Sequence, residues 1–434
     1  MKPIYVVASL ILAASVLCLG QTESPASSMP VPAGRPLSVD EAVTEALEAN
    51  PEIHALVRRL SLAQLKTTTA RSLDDPMFMM RDWDTPLRKP WDMNQAQLML
   101  SVQQTFLSRE KRDARARIAG DDVEVASSEL ETLRQEVSAD VREVCADLKL
   151  NAGEMKLHDR QAALLKEALA AVLAQYTTGK VPEADVLRAQ MALTRLSEHL
   201  IELEEERDST RARLNTLLGQ SPDEPVEITG EYAILTDLPP IEELERLAIE
   251  HRPELTAQRK LLAKSRDQGQ LTRLAMKPDF TAGAGYMVMP SGSASRNAYM
   301  AELTMNLPWL NRDRHEGEAK QADAATAVSQ AELDAKASAV FLEVRQAQIE
   351  TLAAEKRVKV YRDTLLPQAE TAFKASTAAY QNNRADFQML IDSQNLLLEI
   401  QTAYYKALSA TDAGIAGLER AIGTQLPGTE RTSK

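Results

Sequence analysis

The spacing of apolar residues along the chain predicts a protein built mostly of long helices. Two runs rich in Ala and charged residues, 107–176 and 310 to about 378, are each long enough for a helix of roughly 100 Å. Shorter helical segments lie before and after each run. The segment 183–218 carries leucines at the 3-4-3 spacing of a coiled-coil seam, so we expect the helices to pack lengthwise against one another.

Two other regions, about 77–106 and about 279–308, have strand character, and the second strand of each pair alternates apolar and polar residues with a period of two. A polar, turn-rich segment divides each region, so each predicts a pair of strands. Strands of about ten residues with one polar face fit a barrel in an outer membrane. A soluble antiparallel sheet that covers the helices is the alternative. Four strands cannot close a barrel, and lipid tolerates no open sheet edge, so the barrel requires several copies of the chain.

The whole order of helices and strands occurs twice. Tyr176 and Tyr380 are separated by 204 positions, as are Gly219 and Gly423, which indicates a duplicated unit of about 200 residues. In chain order we predict a signal peptide (1–20), a Pro- and Ser-rich extension (21–36), a first repeat (37–220), a linker or equatorial segment (221–239), a second repeat (240–423) and a flexible tail (424–434). The tips of the two helix hairpins are expected at about 176–183 and about 380–386.

The net charge and the N-terminal segment limit the classes of function that the chain can have. A net charge of −13 argues against a nucleic-acid partner, because phosphate binding needs clustered Lys and Arg. Lys2 and the apolar run from Ile4 to about Gly20 are typical of a secretory signal peptide, with a permanent membrane anchor as the alternative. Cys18 leaves a lipid-modified N-terminus open, although Leu17 stands where such signals prefer a small residue.

No motif in the chain predicts catalysis, a cofactor or a bound metal. The five His residues are scattered, and the sequence contains neither a Walker-type phosphate loop nor a GxSxG motif. Met77–Met80, which reads MFMM, suggests a copper or silver site because thioethers are soft ligands. Packing against lipid or in a turn is the favoured interpretation of these side chains, so no metal ligand is predicted.

The hairpin tips carry a local pattern that resembles the TolC-type outer membrane efflux proteins. In that family a Tyr is followed three residues later by Gly or a small residue, and then by an apolar run that ends in Gln. The first copy has Tyr176, Gly179 and Gln190 at these positions, and the second has Tyr380 and Gln394. The resemblance extends over about residues 37–423.

The segment 102–115 also looks like the strand-to-helix segment of the family's cation-efflux members. Residues 107–110 replace the proline-and-glycine turn that is usual there.

The resemblance implies a mainly α membrane protein of the α+β class, with a duplicated unit. It implies a homotrimer in which each chain gives four strands to a 12-stranded β-barrel and long coiled-coil helices to an α-barrel. Such proteins lie in the bacterial outer membrane with a long periplasmic extension and contact its lipid. They are passive exit ducts of tripartite efflux or type I secretion systems, and they dock on a periplasmic adaptor and an inner-membrane pump of RND, ABC or MFS type. A periplasmic coiled-coil scaffold or adaptor without a barrel is the alternative.

The resemblance also assigns expected roles to residues at the tips. Acidic residues narrow the pore near the hairpin tips of family members, and Asp392 falls on one such position, with a solvated helix face or a local ion pair as the alternative. Met389 stands where the family often has a second Asp. Asp386 is a further pore candidate, although a role as helix N-cap is favoured. Candidate adaptor contacts, which could equally be ordinary tip or surface residues, are Tyr176, Gly179, Lys180, Tyr380, Asn383 and Arg384.

Overall fold

The computed structural model describes most of both repeats. The described residues are 34–83, 97–235, 238–290, 292–293, 295–382, 384–427 and 429–430. Three predicted features lie outside these residues: the signal peptide with Cys18, the loop at 84–96 and Asn383 of the second hairpin tip. Within the described part, no helix combines the length and the apolar character that crossing a membrane requires.

In the first repeat, polar caps define where the helices begin. Ser38 caps the first helix in a capping box with Glu41, and Asn50 caps the second, whose first residue is proline. Ser108 caps the 69-residue helix that follows the strands. The elements are β1 (Arg35–Ser38), α1 (Val39–Ala49), α2 (Pro51–Ala70), β2 (Met77–Trp83), β3 (Gln97–Phe106), α3 (Arg109–Thr177), α4 (Glu183–Leu217), β4 (Val226–Thr229) and β5 (Ile234–Leu235).

The second repeat follows the same order, but its long helix is interrupted. Residues Tyr361–Leu365 form a π-helical turn, and Pro367 lies in the first turn of the helix that follows. Pro367 cannot donate a backbone hydrogen bond to the preceding turn, and the wider π turn accommodates it. The elements are α5 (Ile241–His251), α6 (Pro253–Leu274), β6 (Phe280–Val288), β7 (Asn297–Met305), α7 (Arg312–Val360), α8 (Leu366–Gln381), α9 (Phe387–Ile422) and β8 (Thr429–Glu430).

One antiparallel sheet of four strands joins the two repeats, in the order β2-β3-β6-β7. The pairing of β3 with β6 runs from Leu98 opposite Val288 to Phe106 opposite Phe280. Strands from different repeats are therefore neighbours at the centre, and β2 and β7 are left as edges. Such edges present unpaired backbone groups, which in lipid must be satisfied by strands of further copies.

Helix α3 is central to the helical part, because it packs against α2, α4, α6 and α9. One buried apolar cluster includes Val141 of α3 and Leu214 of α4, and a second includes Val344 of α7 and Leu418 of α9. Each cluster lies mainly within one repeat, so the two repeats have separate cores that α3 connects.

The linker and the tail pack against the repeats. β1 pairs in parallel with β4, and β5 pairs with β8. At the start of the predicted tail, Leu426 is buried in the second cluster, and residues 429–430 pair with β5 in a two-stranded sheet. Leu426 packs there against apolar residues that are brought together only in the folded chain.

Candidate functional site

The two helix hairpins meet through a small apolar cluster. Val172 of α3, Val186 of α4 and Phe387 of α9 are buried together, and Tyr380 of α8 packs against them. The rings of Tyr380 and Phe387 are 6.0 Å apart. The structure thus brings the two predicted tips together, although they are far apart in the sequence.

The turn of the first hairpin depends on Gly179. Its φ angle is 70°, a left-handed conformation that favours glycine, and its N–H donates to the carbonyl of Tyr176 at 2.9 Å. Pro182 then precedes the first residue of α4. The side chains of Tyr176 and Lys180 are exposed, so both are accessible at this tip.

The second tip offers fewer accessible side chains than we expected. Arg384 is exposed, and its N–H donates to the carbonyl of Ala379 at 2.8 Å. Tyr380 is only partly exposed, and burial raises the pKa of its hydroxyl. Tyr380 therefore contributes chiefly to packing between the hairpins, whereas Tyr176 in the equivalent position of the first tip points outward.

The two candidate pore carboxylates have different surroundings. Asp386 caps α9, because its Oδ1 accepts a hydrogen bond from the N–H of Met389 at 2.9 Å. Asp392 is exposed, and its Oδ1 accepts a hydrogen bond from Nε2 of Gln388, one turn earlier, at 2.7 Å. The carboxylate of Asp386 is thus used by the helix, as the favoured alternative predicted, while that of Asp392 faces solvent.

Asp392 lines a cleft of about 410 Å³ between α3, α4 and α9. Arg188 and Arg195 of α4 line the same cleft, and Arg188 pairs with Asp185 at 3.1 Å. Within the described part of the chain, neither arginine forms an ion pair with Asp392. A local ion pair therefore does not explain Asp392 in the single chain.

The same cleft contains a histidine pair that sequence reasoning missed. The rings of His158 and His199 are 4.5 Å apart and nearly perpendicular. Burial, and then the neighbouring His199, lower the pKa of His158 to about 4, so His158 is neutral at pH 7. Among the described residues no three His, Cys, Asp or Glu side chains are grouped as metal ligands. The two residues lie on α3 and α4, and only the packing of these helices reveals the pair.

The four-stranded sheet has one apolar and one mainly polar face. Phe78, Val102, Ala284 and Ala301 are neighbours across the four strands, so they share a face. We call this the outer face, because its large side chains are exposed to solvent. Its most exposed apolar residues are Tyr299 (91%), Leu303 (74%), Phe78 (69%) and Met80 (67%).

The opposite face, here called the inner face, carries polar contacts between strands. Nε2 of Gln103 donates to Glu302 at 3.1 Å, and the hydroxyls of Thr105 and Thr281 lie 3.0 Å apart. Ser101, at the centre of this face, is only 2% exposed. Side chains are more crowded here than on the outer face, which is what a sheet curved around its polar side produces.

Known proteins match this chain along almost its whole length. The family model for outer membrane efflux proteins matches residues 42–220 and 244–424, one match for each repeat. The cobalt-zinc-cadmium resistance protein CzcC of Cupriavidus metallidurans is 23% identical over 408 residues, which cover 93% of this chain and 95% of CzcC.

Two solved structures share the fold. The outer membrane protein VceC of Vibrio cholerae matches with a TM-score of 0.72 at 20% identity, covering 89% of this chain and 96% of VceC. The CmeC outer membrane channel of Campylobacter jejuni matches with a TM-score of 0.74 at 12% identity, covering 90% of this chain and 87% of CmeC.

Proposed function

Because the chain belongs to the outer membrane efflux protein family, we propose that it is the exit duct for metal cations in a tripartite efflux system. The protein is a channel of the bacterial outer membrane with a long periplasmic extension, and its family and fold are those of channels rather than enzymes. Outer membrane efflux channels are trimers that work with a periplasmic adaptor and an inner-membrane pump. For this chain we infer a pump of RND, ABC or MFS type.

The exposed carboxylate of Asp392 carries the proposal of cation transport. The neutral amide of Gln388 donates to it, so no positive charge within the described chain is paired with it. A threefold axis repeats this carboxylate three times near the hairpin tips. Mutual repulsion of three negative charges is relieved by a cation between them, which is the principle of charged rings in cation-selective pores.

The identity of the cargo is supported by the relative CzcC. Its name assigns it to resistance against cobalt, zinc and cadmium, and it covers 93% of this chain. A passive duct needs no tight metal site for such cargo, because the pump supplies the direction of transport. Metal ions are therefore the substrate class that we propose for the complete system.

The outer face of the sheet supports contact with membrane lipid. Exposed aromatic and aliphatic side chains there, including Phe78 and Leu303, would leave a large apolar patch in water. A soluble periplasmic scaffold, the alternative interpretation, gives this patch no partner. Lipid contact around a closed barrel covers it.

The hairpin tips support docking of a periplasmic adaptor. Lys180 and Arg384 place a positive charge on each tip, and Tyr176 adds an exposed ring. We infer that the adaptor surface that meets the tips carries carboxylates. Charge reversal at both Lys180 and Arg384 is then expected to weaken adaptor binding in a pull-down assay at low salt, with less effect at high salt.

Planar bilayer recordings test the duct and the role of Asp392. The purified trimer is expected to form small channels that prefer K⁺ to Cl⁻, and Asp392→Asn is expected to lower this preference. Asp208→Asn, an exposed change on α4 far from the tip, is the matched control and leaves selectivity unchanged. Equal selectivity of Asp392→Asn and the unmodified channel would remove Asp392 from the conduction path.

Growth assays test the cargo. A host strain that lacks this gene is expected to tolerate less Co²⁺, Zn²⁺ or Cd²⁺, and a plasmid copy restores growth. Tolerance to lipophilic drugs serves as the comparison. Unchanged metal tolerance together with lost drug tolerance would show that the duct serves a different pump class.

A further inference from the structure

We infer that four of the methionines on the inner face of the sheet form a row of weak binding sites for a soft monovalent metal ion of the Cu⁺ or Ag⁺ class. Each strand contributes one residue: Met79 from β2, Met99 from β3, Met287 from β6 and Met300 from β7. We call this set the methionine row. The biological role of this row rests on the proposed metal export, whereas the positions of the four side chains do not depend on that proposal.

The strand register makes the methionine row continuous. Met99 lies directly opposite Met287. Met79 is opposite Ser101, two residues from Met99, and Met300 is opposite Gly285, two residues from Met287. Directly opposite side chains have Cβ atoms about 4.5–5.5 Å apart and diagonal ones about 7–8 Å, within reach of long side chains. Each thioether therefore has another as its neighbour.

Packing against lipid does not explain the position of these residues. Phe78 and Met80, which alternate with Met79 along β2, take the apolar outer face. The methionine row instead shares the inner face with Gln103 and Glu302. Apolar side chains on the polar face of a channel lose the favourable environment that the lipid side offers, so their concentration there requires another explanation.

Neighbouring strands pack closely at Gly285, beside the methionine row. Gly285 lies between Ser101 and Met300, and an added Cβ would come within 2.9 Å of the Ser101 Cβ and 2.8 Å of a backbone oxygen. The Ser101 hydroxyl is buried and has no hydrogen-bond partner among the described residues. An unpaired buried hydroxyl is costly, and it offers an additional oxygen to a bound ion.

Two sulfur atoms already accept contacts from the polar side. Nη2 of Arg81 lies 3.2 Å from Sδ of Met79, and Nε2 of Gln97 lies 3.0 Å from Sδ of Met287. These contacts show that sulfur lone pairs point to the inner face. Thioether sulfur is a weak hydrogen-bond acceptor, so a soft metal ion can replace these donors.

Thioether chemistry determines the class of ion. Methionine is a soft, uncharged ligand that selects Cu⁺-like ions, whereas ions such as Mg²⁺ prefer oxygen ligands. Binding releases no proton, because a thioether carries none. The sulfurs are distributed across four strands, which suits an ion that passes between weak sites, as conduction requires.

Protection from oxidation tests the site in the unmodified protein. The purified trimer is treated with hydrogen peroxide in nitrate buffer, with AgNO₃ or KNO₃, and sulfoxide is measured at each methionine by peptide mass spectrometry. Ag⁺ is expected to slow oxidation of Met79, Met287 and Met300 and to leave Met80 and Met305 on the outer face unchanged. Equal effects of Ag⁺ on both faces, or no effect on the methionine row, would overturn the inference.

Leucine variants give an independent measurement. Changing all four residues of the methionine row to Leu conserves volume, and Ag⁺ binding measured by titration calorimetry is expected to fall. The double variant Met80→Leu/Met305→Leu is the control and retains it. If the fourfold variant does not form a trimer, the oxidation result decides alone. If the channel conducts K⁺ but Ag⁺ does not protect the methionine row from oxidation, the proposed site is refuted and the proposed duct is not.

Discussion

Lys111 connects the two repeats where the helices meet the sheet. Its Nζ donates to both carboxylate oxygens of Asp279 at 2.8 Å and to the carbonyl of Lys277 at 2.7 Å. The N–H of Asp279 in turn donates to Asn306 at 2.7 Å. Lys111 lies in the first turn of α3, and Asp279 immediately precedes β6. We therefore expect this pair to fix the start of the β6–β7 hairpin against the first repeat.

The structure predicts unequal costs for the two single replacements. Removing one partner of a buried ion pair costs roughly 3–5 kcal/mol. Asp279→Leu leaves an ammonium whose side chain is 7% exposed, so this range applies. Lys111→Met leaves a carboxylate that is 24% exposed and partly solvated, so we expect about 2–3 kcal/mol. Because the double replacement leaves no unpaired charge, it is expected to be nearly neutral.

Hydrogen exchange of peptides that begin at Asp279 measures this cost locally. At about 1.4 kcal/mol per factor of ten, Lys111→Met should speed exchange roughly 30- to 150-fold and Asp279→Leu by about 150-fold or more. The double variant should remain within about tenfold of the unmodified protein. Exchange in the double variant as fast as the product of the two single effects would refute the reasoning, since it would mean that the two side chains do not act as a pair.

Three further predictions concern the helix ends and the histidine pair. Gly423 and Gly179 both have left-handed φ angles (76° and 70°), but only at Gly423 would a Cβ meet a backbone oxygen, at 2.8 Å. Gly423→Ala should therefore cost about 1–3 kcal/mol more than Gly179→Ala in thermal melts, and equal shifts would contradict this. Asp386→Ala should fray the start of α9 at a cost of about 1 kcal/mol, whereas Asp386→Asn keeps the cap, as hydrogen exchange can show. The pKa of His158 falls from 6.5 to about 4 on folding, so the stability that its neutral form contributes is present above pH 6.5 and is lost as the pH falls toward 4. His158→Gln should therefore make the melting temperature depend less on pH between pH 7 and pH 5.

Local patterns predicted the fold because each depends on neighbours in the chain. Alternation with period two identified the second strand of each pair, since one face of such a strand meets an apolar environment and the other does not. Gly179 in the first hairpin turn meets a similarly local requirement, because its left-handed conformation favours glycine. The N-cap role of Asp386 is also local, because it depends on the residues that directly follow it in the chain.

Contacts between repeats could not be predicted in this way. Lys111 and Asp279 pair across 168 positions, and His158 meets His199 only because α3 packs along α4. The combination of side chains on one face of the sheet is likewise not predictable from one strand alone. The run Met77–Met80 is visible in the sequence, but its division between the two faces acquires meaning only when Met287 and Met300 arrive from the second repeat.

Duplication therefore distributes function unequally between the repeats. At the hairpin tips the copies have diverged, since Arg188 occupies in the first repeat the position that Asp392 occupies in the second. Any acidic ring that Asp392 forms is then a property of the second repeat. In the sheet, by contrast, each strand supplies one residue of the methionine row, because β3 and β6 are neighbours at its centre. A metal site there needs both repeats at once, which is why neither repeat alone contains a recognisable motif for it.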